Sequence, residues 1–183
     1  RAGTGAADVY AMGLANSETG VILPVPTREG LEADRLLLDV TQSVGRVPFS
    51  FAWSGAEFAV LSAHKLGGPM GVGALIVRAG VDVQPLWRGG GQEQGARAGT
   101  PNLPGIVAFG VAAELAAREL DVWAALATAR DHVVNAVESA RLGTIFYGAD
   151  AARLPNTLCL GLPGAPAHTQ VMALDLAGFA VSA

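Results

Sequence analysis

Lysine occurs once in the 183 residues, cysteine once and histidine three times. The single cysteine excludes an internal disulfide framework and fits a reducing compartment, so a cytoplasmic location is expected. Charge is sparse as well: 15% of the residues are Asp, Glu, Lys or Arg, against roughly 25% in ordinary soluble domains. The formal net charge of -4 and the lack of any basic run argue against nucleic acid as a partner. No apolar run reaches the roughly 20 residues of a membrane span, and Arg1-Ala2-Gly3-Thr4 is not followed by the apolar stretch of a signal peptide. What is plentiful is apolar: the hydrophobic fraction is 51% and the mean hydropathy +0.39. With this length, such a composition fits one domain, or a piece of a larger one, with a buried α/β core and an oligomer interface.

The sole lysine, Lys65, stands in Leu61-Ser62-Ala63-His64-Lys65-Leu66-Gly67-Gly68-Pro69-Met70-Gly71-Val72-Gly73, while the other eleven basic residues are all arginine. Arginine keeps its proton near neutral pH, whereas a lysine amine can lose it and form Schiff bases with carbonyl compounds. Alone, the lysine reads equally well as a surface residue. The apolar strand Phe58–Leu61 before it and the glycine-rich turn after it favour a site, since glycine lets backbone donors close on a phosphate.

In chain order, Asp8–Ala15 reads as a strand and Asn16–Gly20 as a turn. A short helical piece is expected over Thr27–Arg35. Leu36–Val40 is an apolar strand closing on Asp39, and Phe58–Leu61 and Ala74–Arg78 are further strands. Because these runs do not alternate, they fit a sheet covered on both faces. Thr100 is the expected N-cap of a helix with Pro101 at its first position. Helical periodicity runs from Leu103 to Leu120, and a second helix from Asp121 to about Arg141. A lobe boundary falls there, giving residues 1–120 and 121–183. Thr157–Leu162 is a further strand, Ala167–Leu176 a helix, and Phe179–Ala183 begins another strand.

A pyridine aldehyde carrying a phosphate needs an amine for the aldehyde, a carboxylate at the ring nitrogen, donors on the phosphate and a partner for the ring hydroxyl. Lys65 offers the amine. Asp39 is the candidate carboxylate, with a strand-ending turn residue as its simpler reading. Gln42 can donate to the ring oxygen, or be a plain loop glutamine. Ser62 and His64 can hold the phosphate, and Thr100, at a helix N-terminus, is a further anion-binding candidate. Cys159, between Leu158 and Leu160, reads as a packed small hydrophobe rather than a nucleophile. His132 and His168 read as helix-surface residues and Asn156 as a turn residue.

Four ordered blocks then carry a resemblance. They are Asn16-Ser17-Glu18-Thr19-Gly20, Asp39-Val40-Thr41-Gln42-Ser43-Val44-Gly45, the Ser62–Gly73 segment, and Gly89-Gly90-Gly91-Gln92-Glu93 with Arg97-Ala98-Gly99-Thr100. Together they resemble the class-V aminotransferases, and within them the cysteine desulfurases that feed iron–sulfur assembly. The resemblance implies an α/β large-domain fold of the aspartate-aminotransferase type, a mostly parallel sheet flanked by helices, with part of a small C-terminal α+β lobe. Its implied cofactor is pyridoxal 5'-phosphate. Lys65 takes the Schiff base, Asp39 the ring nitrogen, Gln42 the ring hydroxyl, Ser62 and His64 the phosphate, and Thr100 the phosphate across a homodimer interface. Ser17 stands where the family usually has asparagine near the ring hydroxyl; serine is shorter, so this contact is weaker.

The resemblance also implies a fragment, since family members run to about twice this length. A ring-stacking histidine and a phosphate-binding threonine are expected upstream. The catalytic cysteine loop and the arginine gripping the substrate carboxylate are expected downstream. The implied activity converts cysteine to alanine and an enzyme persulfide, with an iron–sulfur scaffold protein as a possible acceptor. Alternatives in the same fold are a selenocysteine lyase or another class-V enzyme. A third reading is a truncated, partner-binding chain without catalysis.

Overall fold

The computed structural model describes residues 7–183. Four strands lie side by side in chain order: β1 (Ala7–Gly13), β2 (Ala33–Asp39), β3 (Phe58–Ser62) and β4 (Gly73–Val77). The first three are parallel, and β4 returns antiparallel to β3. Register puts Met12 beside Leu38, Leu38 beside Ala59 and Ala59 beside Ile76. This row lies on the core face. Leu36, Leu38, Val40 and Ala59 are buried there, and Val25, Leu31, Val44, Phe49 and Phe51 pack onto them from the connecting loops. Each fully buried leucine contributes about 2 kcal/mol.

Side chains alternate along a strand, so Val9, Leu37, Phe58, Val60 and Leu75 fall on the opposite face. Leu37, Phe58 and Val60 are half-buried, while Val9 and Leu75 are exposed. The sheet is therefore well covered on one face and partly open on the other, among the described residues, rather than covered on both. Asp39 ends an apolar strand, but its own side chain is exposed at the rim.

Several elements differ from the sequence expectation. The helical piece over Thr27–Arg35 shrinks to a 3-10 turn at Arg28–Gly30, because Ala33 already pairs with Ala7 in the sheet. Helix α1 (Leu103–Arg118) is capped by Asn102, whose side chain accepts the Gly105 N–H at 3.2 Å, not by Thr100. Pro104, which has no N–H to leave unpaired, occupies the first turn in place of Pro101. The dipole argument for anion binding at Thr100 thus loses its basis, since Thr100 lies two residues outside the cap. Helix α2 (Leu120–Ser139) follows with only Glu119 between.

Beyond α2, β5 (Ile145–Phe146) and β6 (Leu160–Gly161) form a two-stranded antiparallel pair, and α3 covers Ala167–Leu176. The strand expected over Thr157–Leu162 is confined to two residues, because β5 offers a partner only that long. Phe179–Ala183 forms no strand. The segment before β6 docks onto the turn after β1: Ile22 N–H donates to Ala152 O at 2.7 Å, and Leu154 N–H donates to Gly20 O at 2.8 Å. Arg130 of α2 donates to Leu154 O at 2.8 Å from the other side. His132 and His168 are exposed on their helices, and Asn156 is an exposed turn residue. No helix among the described residues is long and apolar enough to cross a membrane.

Candidate functional site

The carboxyl ends of parallel strands are where open α/β sheets bind ligands, because the loops leaving them converge there. Here Gly13, Asp39 and Val60 occupy one row across β1, β2 and β3. Ser62, two residues on from Val60, shares their face by strand alternation. Asp39 and Ser62 therefore sit on one face at one end of the sheet, as ends of neighbouring strands.

A cleft of about 330 Å³ opens at this rim, lined by Asn16, Ser17, Leu23, Asp39, Thr41 and Gln42 with Gly13 and Ala15. Asn16 shapes its wall. Its Oδ1 accepts the N–H groups of Glu18 and Thr19, both at 2.9 Å, and the Thr19 hydroxyl at 3.1 Å. The turn so formed presents Ser17, whose hydroxyl donates to Glu18 Oε1 at 3.1 Å. Asp39 Oδ1 accepts the Thr41 N–H at 2.9 Å, which orients the carboxylate and leaves further lone pairs free. Ser17, Asp39 and Gln42 are thus brought together.

Lys65 lies elsewhere along the rim. Its side chain is exposed and lines a second cleft, of about 410 Å³, with Val44, Arg46, Leu66, Leu115 and Trp123 among the other walls. Ser62 Oγ and His64 Nδ1 share a hydrogen bond of 2.8 Å beside it, and His64 is exposed. The turn carrying these residues is tightly held. Gly68 N–H donates to Ala63 O at 2.9 Å, and Ala63 N–H to Val72 O at 3.1 Å. A Cβ on Gly68 would meet the Ala63 Cβ at 2.9 Å, so the turn requires glycine there. Thr100, exposed in the loop before α1, lines neither cleft.

Arg46 was not singled out by the sequence and is the cation between the two groups. Its Nη1 donates to Gln42 O at 2.7 Å and its Nη2 to Lys65 O at 2.7 Å. The guanidinium carbon stands 5.5 Å from the centroid of the Trp123 ring. Burial pushes the Arg46 pKa below its ordinary value by desolvating the charge. Glu57 is a second residue the sequence did not flag: nearly buried at the far end of β3, it pairs with Arg28 and accepts the Leu36 N–H at 2.7 Å.

The donor set fits a phosphorylated pyridine aldehyde. A rim carboxylate, an amide and a hydroxyl share one cleft; an amine and a hydroxyl–imidazole pair stand on the adjoining turn. Among the described residues, no group of three or more His, Cys, Asp or Glu side chains could hold a metal ion. Cys159 is half-buried just before β6, with its carbonyl accepting the Tyr147 N–H at 3.0 Å.

Known proteins match this chain along nearly all of its length. A cysteine desulfurase of Cereibacter sphaeroides is 43% identical over 174 residues, covering 92% of this chain and 44% of the relative. One from Gluconacetobacter diazotrophicus is 41% identical over 173 residues, covering 92% of this chain and 43% of its own. In three dimensions, a NifS-like protein from Rickettsia africae superposes with a TM-score of 0.89 at 28% identity, over 97% of this chain and 50% of that one. The chain spans about half the length of the curated relatives it matches. The aminotransferase class-V family matches residues 4–183, and the chain belongs to that family.

Proposed function

We propose that this chain forms the cofactor-holding part of a pyridoxal-phosphate-dependent cysteine desulfurase that supplies sulfur for iron–sulfur assembly. The observation that carries the reading is the common rim of Asp39 and Ser62 on neighbouring parallel strands, with Ser17 and Gln42 joining Asp39 in one cleft. The desulfurase names of the relatives support the choice of cysteine as substrate. When bound, pyridoxal phosphate supplies an electron sink for negative charge at the substrate α-carbon.

The residues divide the remaining work. Asp39 holds a proton on the ring nitrogen, and its hydrogen bond from Thr41 keeps the carboxylate aimed. Gln42, and more weakly the shorter Ser17, would hydrogen-bond the ring hydroxyl, and Ser62 with His64 would hold phosphate oxygens. Lys65 would hold the aldehyde through its amine and, when free, would serve as base for the α-proton. Thr100 would contribute to phosphate from a partner protomer of a homodimer. A reducing, cytoplasmic setting suits a lone thiol. We place the lobe boundary between residues 120 and 121. Persulfide chemistry falls to residues other than Cys159.

Borohydride reduction of the intact protein with pyridoxal phosphate tests this reading. Peptide mass mapping should find the reduced adduct on the Lys65 peptide, and Lys65→Ala should lose both adduct and visible band. An adduct on another residue, or none, overturns it.

A further inference from the structure

The two clefts raise the question of what fixes the amine-bearing turn relative to the carboxylate-bearing one. Gln42 and Lys65 belong to loops leaving adjacent parallel strands, β2 and β3, and no strand hydrogen bond links them so far beyond the ladder, whose last pair is Asp39 with Val60. Arg46 links them. One nitrogen of its fork takes the Gln42 carbonyl and the other the Lys65 carbonyl, both at 2.7 Å. A longer contact of 3.4 Å reaches the Gln42 side-chain Oε1. Because the guanidinium is planar and rigid, two carbonyls bonded to its two ends have a fixed separation. Fixing the Lys65 carbonyl fixes the peptide plane from which its side chain departs.

The arginine is itself held. The turn Val40–Val47 is closed by Val44 N–H to Val40 O and Val47 N–H to Ser43 O, both at 3.0 Å. Ser43 is fully buried, with its hydroxyl on Val40 O at 3.1 Å. Gly45 at φ +79 lets α1 approach, a Cβ there standing 2.9 Å from the Ala116 Cβ. Trp123 of α2 covers the guanidinium. Arg46 Nε is buried without a hydrogen-bond partner among the described residues. A surface charge chosen for solubility has no reason to accept that desolvation.

We propose that Arg46 is a positioning residue for the cofactor site, setting the distance between the Lys65 amine and the Asp39–Gln42 edge by bonding both loops with one guanidinium. The inference rests on the proposed function and deepens it: Arg46, which walls the Lys65 cleft, acts through the two carbonyls it bonds. Lysine, a point donor on a flexible stem, keeps the charge but cannot span both.

The test is pyridoxal phosphate titration of the intact protein, followed by its visible band, for wild type, Arg46→Ala, Arg46→Lys, Glu57→Ala and Lys65→Ala. Arg46→Ala should raise the dissociation constant about ten-fold and shift or weaken the band, with Arg46→Lys between it and wild type. Glu57→Ala, at the opposite end of β3, should lower the melting temperature without moving either cofactor readout. Arg46→Ala binding as wild type does, or no worse than Glu57→Ala, overturns the proposal while leaving the proposed function standing. If Arg46→Ala does not fold, Arg46→Lys decides: a dissociation constant and band equal to wild type overturn it. Retention of the band in Lys65→Ala overturns the proposed function, and this inference with it.

Discussion

Gly20 and Thr157 meet so closely that a Cβ added to the glycine would stand 2.7 Å from the threonine Cβ. The contact joins the turn after β1 to the segment entering β6. Gly20 also holds φ +72, a conformation that costs a side chain about 1–2 kcal/mol. Gly20→Ala should therefore lower stability by about 2 kcal/mol or more, strain and overlap acting together. Adding Thr157→Gly, which removes the Cβ itself, should recover the overlap share relative to Thr157→Gly alone and leave the strain. Urea denaturation of the single and double variants measures both; a neutral Gly20→Ala contradicts the packing.

Glu57 presents a different balance. Its carboxylate accepts the buried Leu36 N–H and pairs with Arg28, but the Arg28 side chain is 54% exposed and can return to water. Loss of the backbone bond should dominate. Glu57→Ala should cost about 2 kcal/mol, and Arg28→Ala about 0.5 kcal/mol, as for a solvated ion pair. Equal costs in thermal unfolding would assign the stability to the ion pair instead.

The Ser62–His64 hydrogen bond yields a prediction about ligand chemistry. Ser62→Ala removes one phosphate donor and frees the imidazole, so affinity for pyridoxal phosphate should fall about ten-fold. Affinity for pyridoxal, which has no phosphate, should hardly change. Titration with the two aldehydes separates the cases, and equal losses for both would place Ser62 away from the phosphate.

Cys159 should be dispensable for chemistry. Its thiol is half-buried just before β6, between Leu158 and Leu160 in the chain, where a cysteine packs as a small hydrophobe. Cys159→Ala should cost about 1 kcal/mol in stability and leave borohydride trapping at Lys65 intact. Persulfide sulfur found on Cys159 after incubation with cysteine would refute this.

The four strands of the main sheet were legible because short β-rich apolar runs bounded by glycine, proline and aspartate have few other readings. The expected strand Phe58–Leu61 runs one residue further, to Ser62, and helix Ala167–Leu176 fell where the pattern put it. Asp39 was legible as the end of a strand but not as an exposed rim residue, since exposure depends on what covers the loop. The cap of α1 was misread because two consistent signals, Thr100-Pro101 and Asn102 with Pro104, lie side by side. Local composition cannot choose between them; the Gly105 N–H does. Arg46 was illegible for a general reason. Its partners are backbone carbonyls, one of them 19 residues away, and carbonyls leave no trace in side-chain spacing.

The order of the four strands in the sheet, identical to their order in the chain, bears on synthesis. Among the described residues, each strand leaving the ribosome finds an earlier neighbour already made, and none of the four is inserted between two finished ones. Vectorial assembly from the amino-terminal side is thereby open to this sheet. The strands that gather Asp39 and Ser62 at one rim all precede the α1–α2 pair in the chain.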